Sequence, residues 1–442
     1  MNPEAPRGHE ACSEAPENLE VDGTFPETSR LTEAEVRHRF AQAVQQGTPS
    51  WLWPASSIPE WQSALREIER ATRDILDGHR CDGPLRGDAE HMGIAAYTSG
   101  MGPLLGYWID AGLLSAPPAT EAMLALHYRH NSLRMLALAE RASVAVSRLI
   151  DGGVKVTVLK GMDTAFSCFP APGTRPTSDI DLAIPAEDKA AARETLRELC
   201  YLPEHESTEP AEQFWRHVSS SRLPQSLSHV HEDDPWGIDL HTSSNRRYAQ
   251  GAPLIRFDEL AHRSGPGRWP LCRSAHTLDP GAAILFLACH AGCHFSNLRL
   301  VRLVELILAI RKAEAEPGWT WNDFVELGRQ TETLASAYAA LSLAETLSPG
   351  TVPQEVMSEC RRNAPRAVVR VVAQLSPATA HSMVRCTLRE RYMWTSSLRG
   401  TIKQLFFDFM PVDQPVRSWA TIFKIRFWRI LQGRLSITSS SS

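Results

Sequence analysis

The sequence contains no uninterrupted run approaching the about 18–20 apolar residues that a membrane-crossing helix requires, so no membrane span is expected. It has no surplus of positive charge. With 46 Lys and Arg against 51 Asp and Glu, the formal net charge is −5, which argues against a long nucleic acid as partner. The first residues, MNPEAPRGHEACSEAPENLE, lack the basic start and apolar centre of a secretory leader. Nine cysteines scattered over 442 residues are an odd number and do not form a disulfide framework. These absences point to a soluble cytoplasmic protein with reduced thiols. What is present is ordinary for a globular chain, with 43% hydrophobic and 22% charged residues. The length suggests two or three domains.

Residues 1–30 carry seven acidic side chains and four prolines and read as a disordered acidic tail. A helical region follows over 31–150. Trp61, Leu65, Ile68 and Ile75 form one apolar stripe in it, and Met123, Leu126, Leu133, Leu136, Leu138 and Val146 form another. After Asp151-Gly152-Gly153 the texture changes. VKVTVLK (154–160) and DIDLAIP (179–185) read as strands, EDKAAARETLRELC (187–200) as a helix, and SLSHVH (226–231) with IDLH (238–241) as a hairpin. A core over 151–245 is therefore expected. A helical region over 246–350 follows, built from 282–294, 298–315 and 335–347, and then a basic helical region over 351–442 with a flexible end.

The chemistry concentrates in 156–185. Asp179 and Asp181 flank Ile180 in a predicted strand, so both carboxylates face one side, about 6.6 Å apart along the backbone. Two like charges on an otherwise apolar strand call for a cation, and oxygen ligands suit Mg2+ or Mn2+. Asp239, in the apolar strand Ile238-Asp239-Leu240-His241, is available to complete such a site. Upstream, Lys160-Gly161 places a cation beside a residue that lets a backbone approach a phosphate.

L-K-G (159–161), R-x-x-x-D-I-D-L (175–182) and I-D-L-H (238–241), in this order, resemble the nucleotidyltransferase superfamily that includes DNA polymerase β and the aminoglycoside nucleotidyltransferases. More narrowly, they resemble a bacterial family described as uncharacterised nucleotidyltransferases. That family has LKG in place of the superfamily's Gly-Ser pair, and its members occur in biosynthetic gene clusters, some for modified peptides. The resemblance covers roughly residues 125–310 and implies an α+β fold, a small mixed sheet flanked by N- and C-terminal helical regions. It implies that Asp179, Asp181 and Asp239 hold Mg2+ or Mn2+, with Asp239 helping to deprotonate an acceptor hydroxyl. Lys160, Gly161, Arg175 and Ser178 then form the nucleotide-binding set, with Arg175 clamping a phosphate or bracing its loop through an acidic partner. His241, His290, His294, Arg302 and Glu305 are expected to line the site, Glu305 standing where the family tends to have Asp. The implied reaction moves a nucleoside monophosphate from a nucleoside triphosphate to an unidentified small-molecule or peptide acceptor, releasing pyrophosphate.

Two alternatives stay open on sequence: a silent module that docks a peptide or protein partner, and a transferase of another phosphate-linked group such as an activated sugar. Cys289-His290 and Cys293-His294 lie on one predicted helix, which cannot wrap a zinc ion alone. His127, Tyr128 and Arg129 read as a solvated or loop-bracing face. In 416–435 apolar residues cover most of the helix circumference, which favours packing against the body.

Overall fold

The computed structural model of the chain describes residues 58–177, 179–203, 212–218, 237–243, 245, 255–292, 295, 298–383, 392–395 and 397–409. The acidic tail, the strand expected at 226–231 and the basic aromatic segment at 416–435 lie outside the described residues, as do Ser178, Cys293 and His294.

The first apolar stripe forms α1 (Ile58–Leu76), followed by α2 (Ala89–Ser99), α3 (Gly102–Asp110) and the long α4 (Pro118–Asp151). Pro118 opens α4 at a position where a missing amide costs nothing. Then come β1 (Thr157–Val158), α5 (Met162–Ser167), β2 (Asp179–Ala183), α6 (Lys189–Glu198), β3 (Tyr201–Pro203), β4 (Glu212–His217) and β5 (Gly237–His241). After α7 (Phe257–Ala261), β6 (Ser264–Pro266) and β7 (His276–Leu278), the described chain is helical: α8 (Pro280–Gly292), α9 (Leu300–Glu314), α10 (Trp321–Gln330), α11 (Leu334–Leu347), α12 (Gln354–Asn363), α13 (Arg366–Val372), α14 (Ala380–Met383) and α15 (Leu398–Phe409). The fold is α+β.

Among the described residues, seven strands form one mixed sheet in the order β3-β4-β5-β2-β1-β7-β6. β2 and β5 run parallel at its centre, with Asp181 opposite Asp239 and Ala183 opposite His241. Side chains alternate along a strand, and directly paired residues share a face. Ile180, Leu182, Ile238 and Leu240 therefore point one way. They join Leu138, Val146 and Leu149 of α4 and Ala192 and Leu196 of α6 in a buried core, where each large aliphatic contributes roughly 1.5–3 kcal/mol. The aspartates point the other way. A second core runs from Trp61 in α1 to Trp394 and is built largely from α8, α9 and α11. α4 joins the two, with Met123 and Leu124 in one and Met135 to Leu149 in the other.

Two expectations are corrected here. β5 has as its antiparallel partner β4, whose sequence EQFWRH carries no clean alternation, although Gln213 and Trp215 are buried. On α4, Leu133 and Leu136 are 59% and 69% exposed instead of continuing the apolar stripe. The buried side of that helix segment is polar: His127, Asn131 and Arg134, spaced four and three residues apart.

Candidate active site

β1 ends at Val158, but Leu159 still donates its amide to the Asp181 carbonyl (3.0 Å), carrying the chain one residue further along β2. Gly161 then turns it, with φ +67° and ψ −92°. This backbone conformation favours glycine, and a Cβ here would press on Thr177 Oγ1 at 3.1 Å. Just before the turn, Lys160 lies beside β2, where Nζ donates to Asp181 Oδ1 at 2.6 Å and to Oδ2 at 2.7 Å.

The β2–β5 register brings the remaining groups to the same place. His241 Nε2 lies 3.5 Å from Asp181 Oδ1 and 3.4 Å from Asp239 Oδ2. One ligand atom from each of Asp181, Asp239 and His241 lies within 4.8 Å of the others. Asp239 Oδ1 is buried with no hydrogen-bond partner among the described residues. Asp179 shares the face but stands outside that convergence, one strand repeat away, with Thr177 Oγ1 at 3.5 Å from its Oδ1. The expected carboxylate triad is thus, at its closest point, two carboxylates and an imidazole.

The Pro-rich loop between Gly161 and Asp179 is held from two sides. From α4, Asn131 donates to the Gly173 carbonyl at 2.7 Å and Arg134 to the Thr177 carbonyl. From α9, Glu305 accepts two hydrogen bonds from Arg175, Nε to Oε1 at 2.9 Å and Nη2 to Oε2 at 2.8 Å. Thr164 Oγ1 also donates to Glu305. The third Arg175 nitrogen, Nη1, donates to the Pro176 carbonyl at 3.0 Å, so this guanidinium is engaged in bracing the loop. One turn before Glu305, Arg302 Nη1 meets His290 Nδ1 at 3.0 Å.

Burial sets the electrostatics. Desolvation alone would raise the Asp181 carboxyl, but the Lys160 ammonium and His241 outweigh it and hold it well below the usual carboxylate range. Asp179 is pushed the other way, by burial and then by the Asp181 charge, against the pull of Lys160. Burial opposes the charge on Lys160, yet Asp181 and Asp179 raise its pKa. Burial likewise opposes protonation of His241, and its hydrogen bonds to Asp181 and Asp239 carry it up to about 9. In the neighbouring pair, Arg175 overcomes the desolvation of Glu305 and keeps that carboxyl ionised.

A family model described as an uncharacterised nucleotidyltransferase matches residues 88–349, more than half of the chain. The chain belongs to this family. Neither a curated protein nor a solved structure matches it. As a nucleotidyltransferase it is a transferase of phosphorus-containing groups, and the match runs from α2 through the sheet to the end of α11. The residues fit a divalent cation: two carboxylates and an imidazole converge, and one buried carboxylate oxygen lacks a hydrogen-bond partner among the described residues.

Sequence reasoning named Lys160, Asp181, Asp239 and His241, which the nucleotidyltransferase brings together, and Arg175 and Glu305, which it pairs. It missed Asn131, Arg134, Thr164 and Thr177. The available signal for the first two was polar residues at helical spacing beside a loop whose carbonyls need donors.

Proposed function

We propose that the protein catalyses metal-dependent transfer of a nucleoside monophosphate from a nucleoside triphosphate to an acceptor hydroxyl, with release of pyrophosphate. The observation that carries this reading is the convergence of Asp181, Asp239 and His241 on one sheet face beside Lys160, in a chain of the nucleotidyltransferase family. A bound divalent cation supplies charge neutralisation of the phosphates and polarisation of the acceptor oxygen. The chain's own groups do the rest by position. Asp181 and Asp239 hold the cation, Asp179 serves as a further cation ligand at the outer end of the same face, and Asp239 receives the acceptor's proton. Lys160 exchanges its Asp181 partner for a phosphate oxygen, and Gly161 leaves space for the triphosphate to approach. Arg175 and Glu305 fix the loop that leads into Asp179, and Arg302 adds positive charge near that carboxylate. The acceptor class we favour is a small molecule or a peptide in natural-product biosynthesis, because the net charge of −5 disfavours a long polyanion.

The test is calorimetric titration of ATP, GTP, CTP and UTP against the full chain, with Mg2+, with Mn2+ and with EDTA, repeated on Asp179→Asn. Micromolar binding of at least one nucleotide, dependent on the divalent cation and lost in the variant, is the expected result. Equal binding by Asp179→Asn, or binding indifferent to EDTA, overturns the proposed site.

A further inference from the structure

The third member of the convergence is a nitrogen, and its placement is specific. We infer that His241 is a direct metal ligand and that the site selects a divalent first-row transition ion over Mg2+. The inference rests on the metal-site reading above.

Strand alternation places Asp239 and His241 on one face of β5, and the parallel register sets both beside Asp181. The imidazole Nε2 is 3.4 Å from one carboxylate oxygen and 3.5 Å from the other. Two ligands at about 2.1 Å from a common ion, on tetrahedral or octahedral positions, stand roughly 3.0–3.5 Å apart. The observed separations match that span. His241 is 4% exposed, so its ring sits inside the site and not in solvent. The Asp239 oxygen with no hydrogen-bond partner among the described residues lies in the same pocket of charge.

Mg2+ prefers oxygen ligands in near-ideal octahedral geometry and keeps much of its water. An imidazole gives it little, whereas affinity for nitrogen rises along the first-row series beginning at Mn2+. A site meant for Mg2+ alone would gain more from a carboxylate or a water where His241 stands. The cation now bridging Asp181 is the Lys160 ammonium, at 2.6 and 2.7 Å from its two oxygens. It satisfies the carboxylate until an ion enters from the Asp239 and His241 side.

Mn2+ alone, added to the full chain stripped of divalent ions, is the probe. Free Mn2+ is counted by its paramagnetic resonance signal, Mg2+ competes, and electron spin echo modulation of the bound ion reads nitrogen-14 coupling. We expect one bound Mn2+ with imidazole nitrogen coupling, held at least about tenfold more tightly than Mg2+. His241→Asp is expected to bind Mn2+ without the coupling and with the preference reduced to about threefold or less. Bound Mn2+ without nitrogen coupling, coupling that persists in His241→Asp, or no Mn2+ binding by the wild-type chain overturns the inference. If His241→Asp does not fold, the wild-type spectrum decides alone. Nucleotide binding that depends on oxygen-coordinated Mn2+ would sink this assignment and leave the transferase reading standing. Nitrogen-coupled Mn2+ in a chain that binds no nucleotide would do the reverse.

Discussion

At the scale of single residues, Asp179 and Asp181 look interchangeable in the sequence and are opposites in the structure. Asp181 is 1% exposed and carries Lys160 on both oxygens. Among the described residues no cation bonds Asp179 as Lys160 bonds Asp181, and burial together with the Asp181 charge raises its pKa. A folded-state pKa above the unfolded value means that the ionised form costs stability at neutral pH. Asp179→Asn should therefore stabilise the divalent-free protein, by about 1 kcal/mol at pH 7.5. Asp181→Asn should destabilise it by roughly 2–4 kcal/mol, because it leaves the buried Lys160 ammonium and His241 without their shared anion. Urea unfolding in the presence of chelator measures both. Equal effects of the two substitutions would mean that the site does not distinguish its carboxylates as described.

At the scale of elements, the loop from α5 to β2 depends on one buried ion pair. Arg175 and Glu305 are 130 positions apart and both almost wholly buried. Removing one partner strands the other charge, so Glu305→Ala is expected to cost roughly 3–5 kcal/mol. The double change Arg175→Met with Glu305→Leu should regain most of that loss, which differential scanning calorimetry would show. A double variant as unstable as the single one would mean that the pair's role is not charge compensation. This pair also marks where sequence reading ends. The i, i+2 aspartates of β2, the Asp-x-His of β5 and the apolar helices α8, α9 and α11 were legible because each is a local pattern. The partner of Arg175 was not, since chain distance says nothing about which helix returns to a loop. Nor was β4, whose place in the sheet comes from pairing with β3 and β5 and is not signalled by its sequence EQFWRH. The polar inner side of α4 was hidden for a related reason: Asn131 and Arg134 look solvated until the loop carbonyls they meet are known.

At the scale of the whole molecule, the early and late helices are fastened to each other. Glu69 of α1 accepts from Ser376 Oγ and from the Ala378 amide, both at 2.9 Å. Nearby, the His381 ring of α14 stands edge-on to Trp61 of α1, ring centres 5.8 Å apart at 85°. Both His381 nitrogens are buried without a hydrogen-bond partner among the described residues. Burial, and secondarily the charge of Arg299, push its pKa down to about 3. The sign follows from proton counting. Between pH 6.5 and 3 the unfolded chain binds a proton at this histidine and the folded chain does not, so stability falls as pH drops through that window. From pH 8 to pH 5 this one group should remove about 2 kcal/mol. His381→Phe keeps an aromatic edge against Trp61 and removes the titration. Over that interval the variant should therefore lose about 2 kcal/mol less than the wild-type chain in urea unfolding. Parallel pH profiles for the two proteins would show that the clasp between α1 and α14 opens to water before global unfolding, leaving His381 free to protonate in the native state.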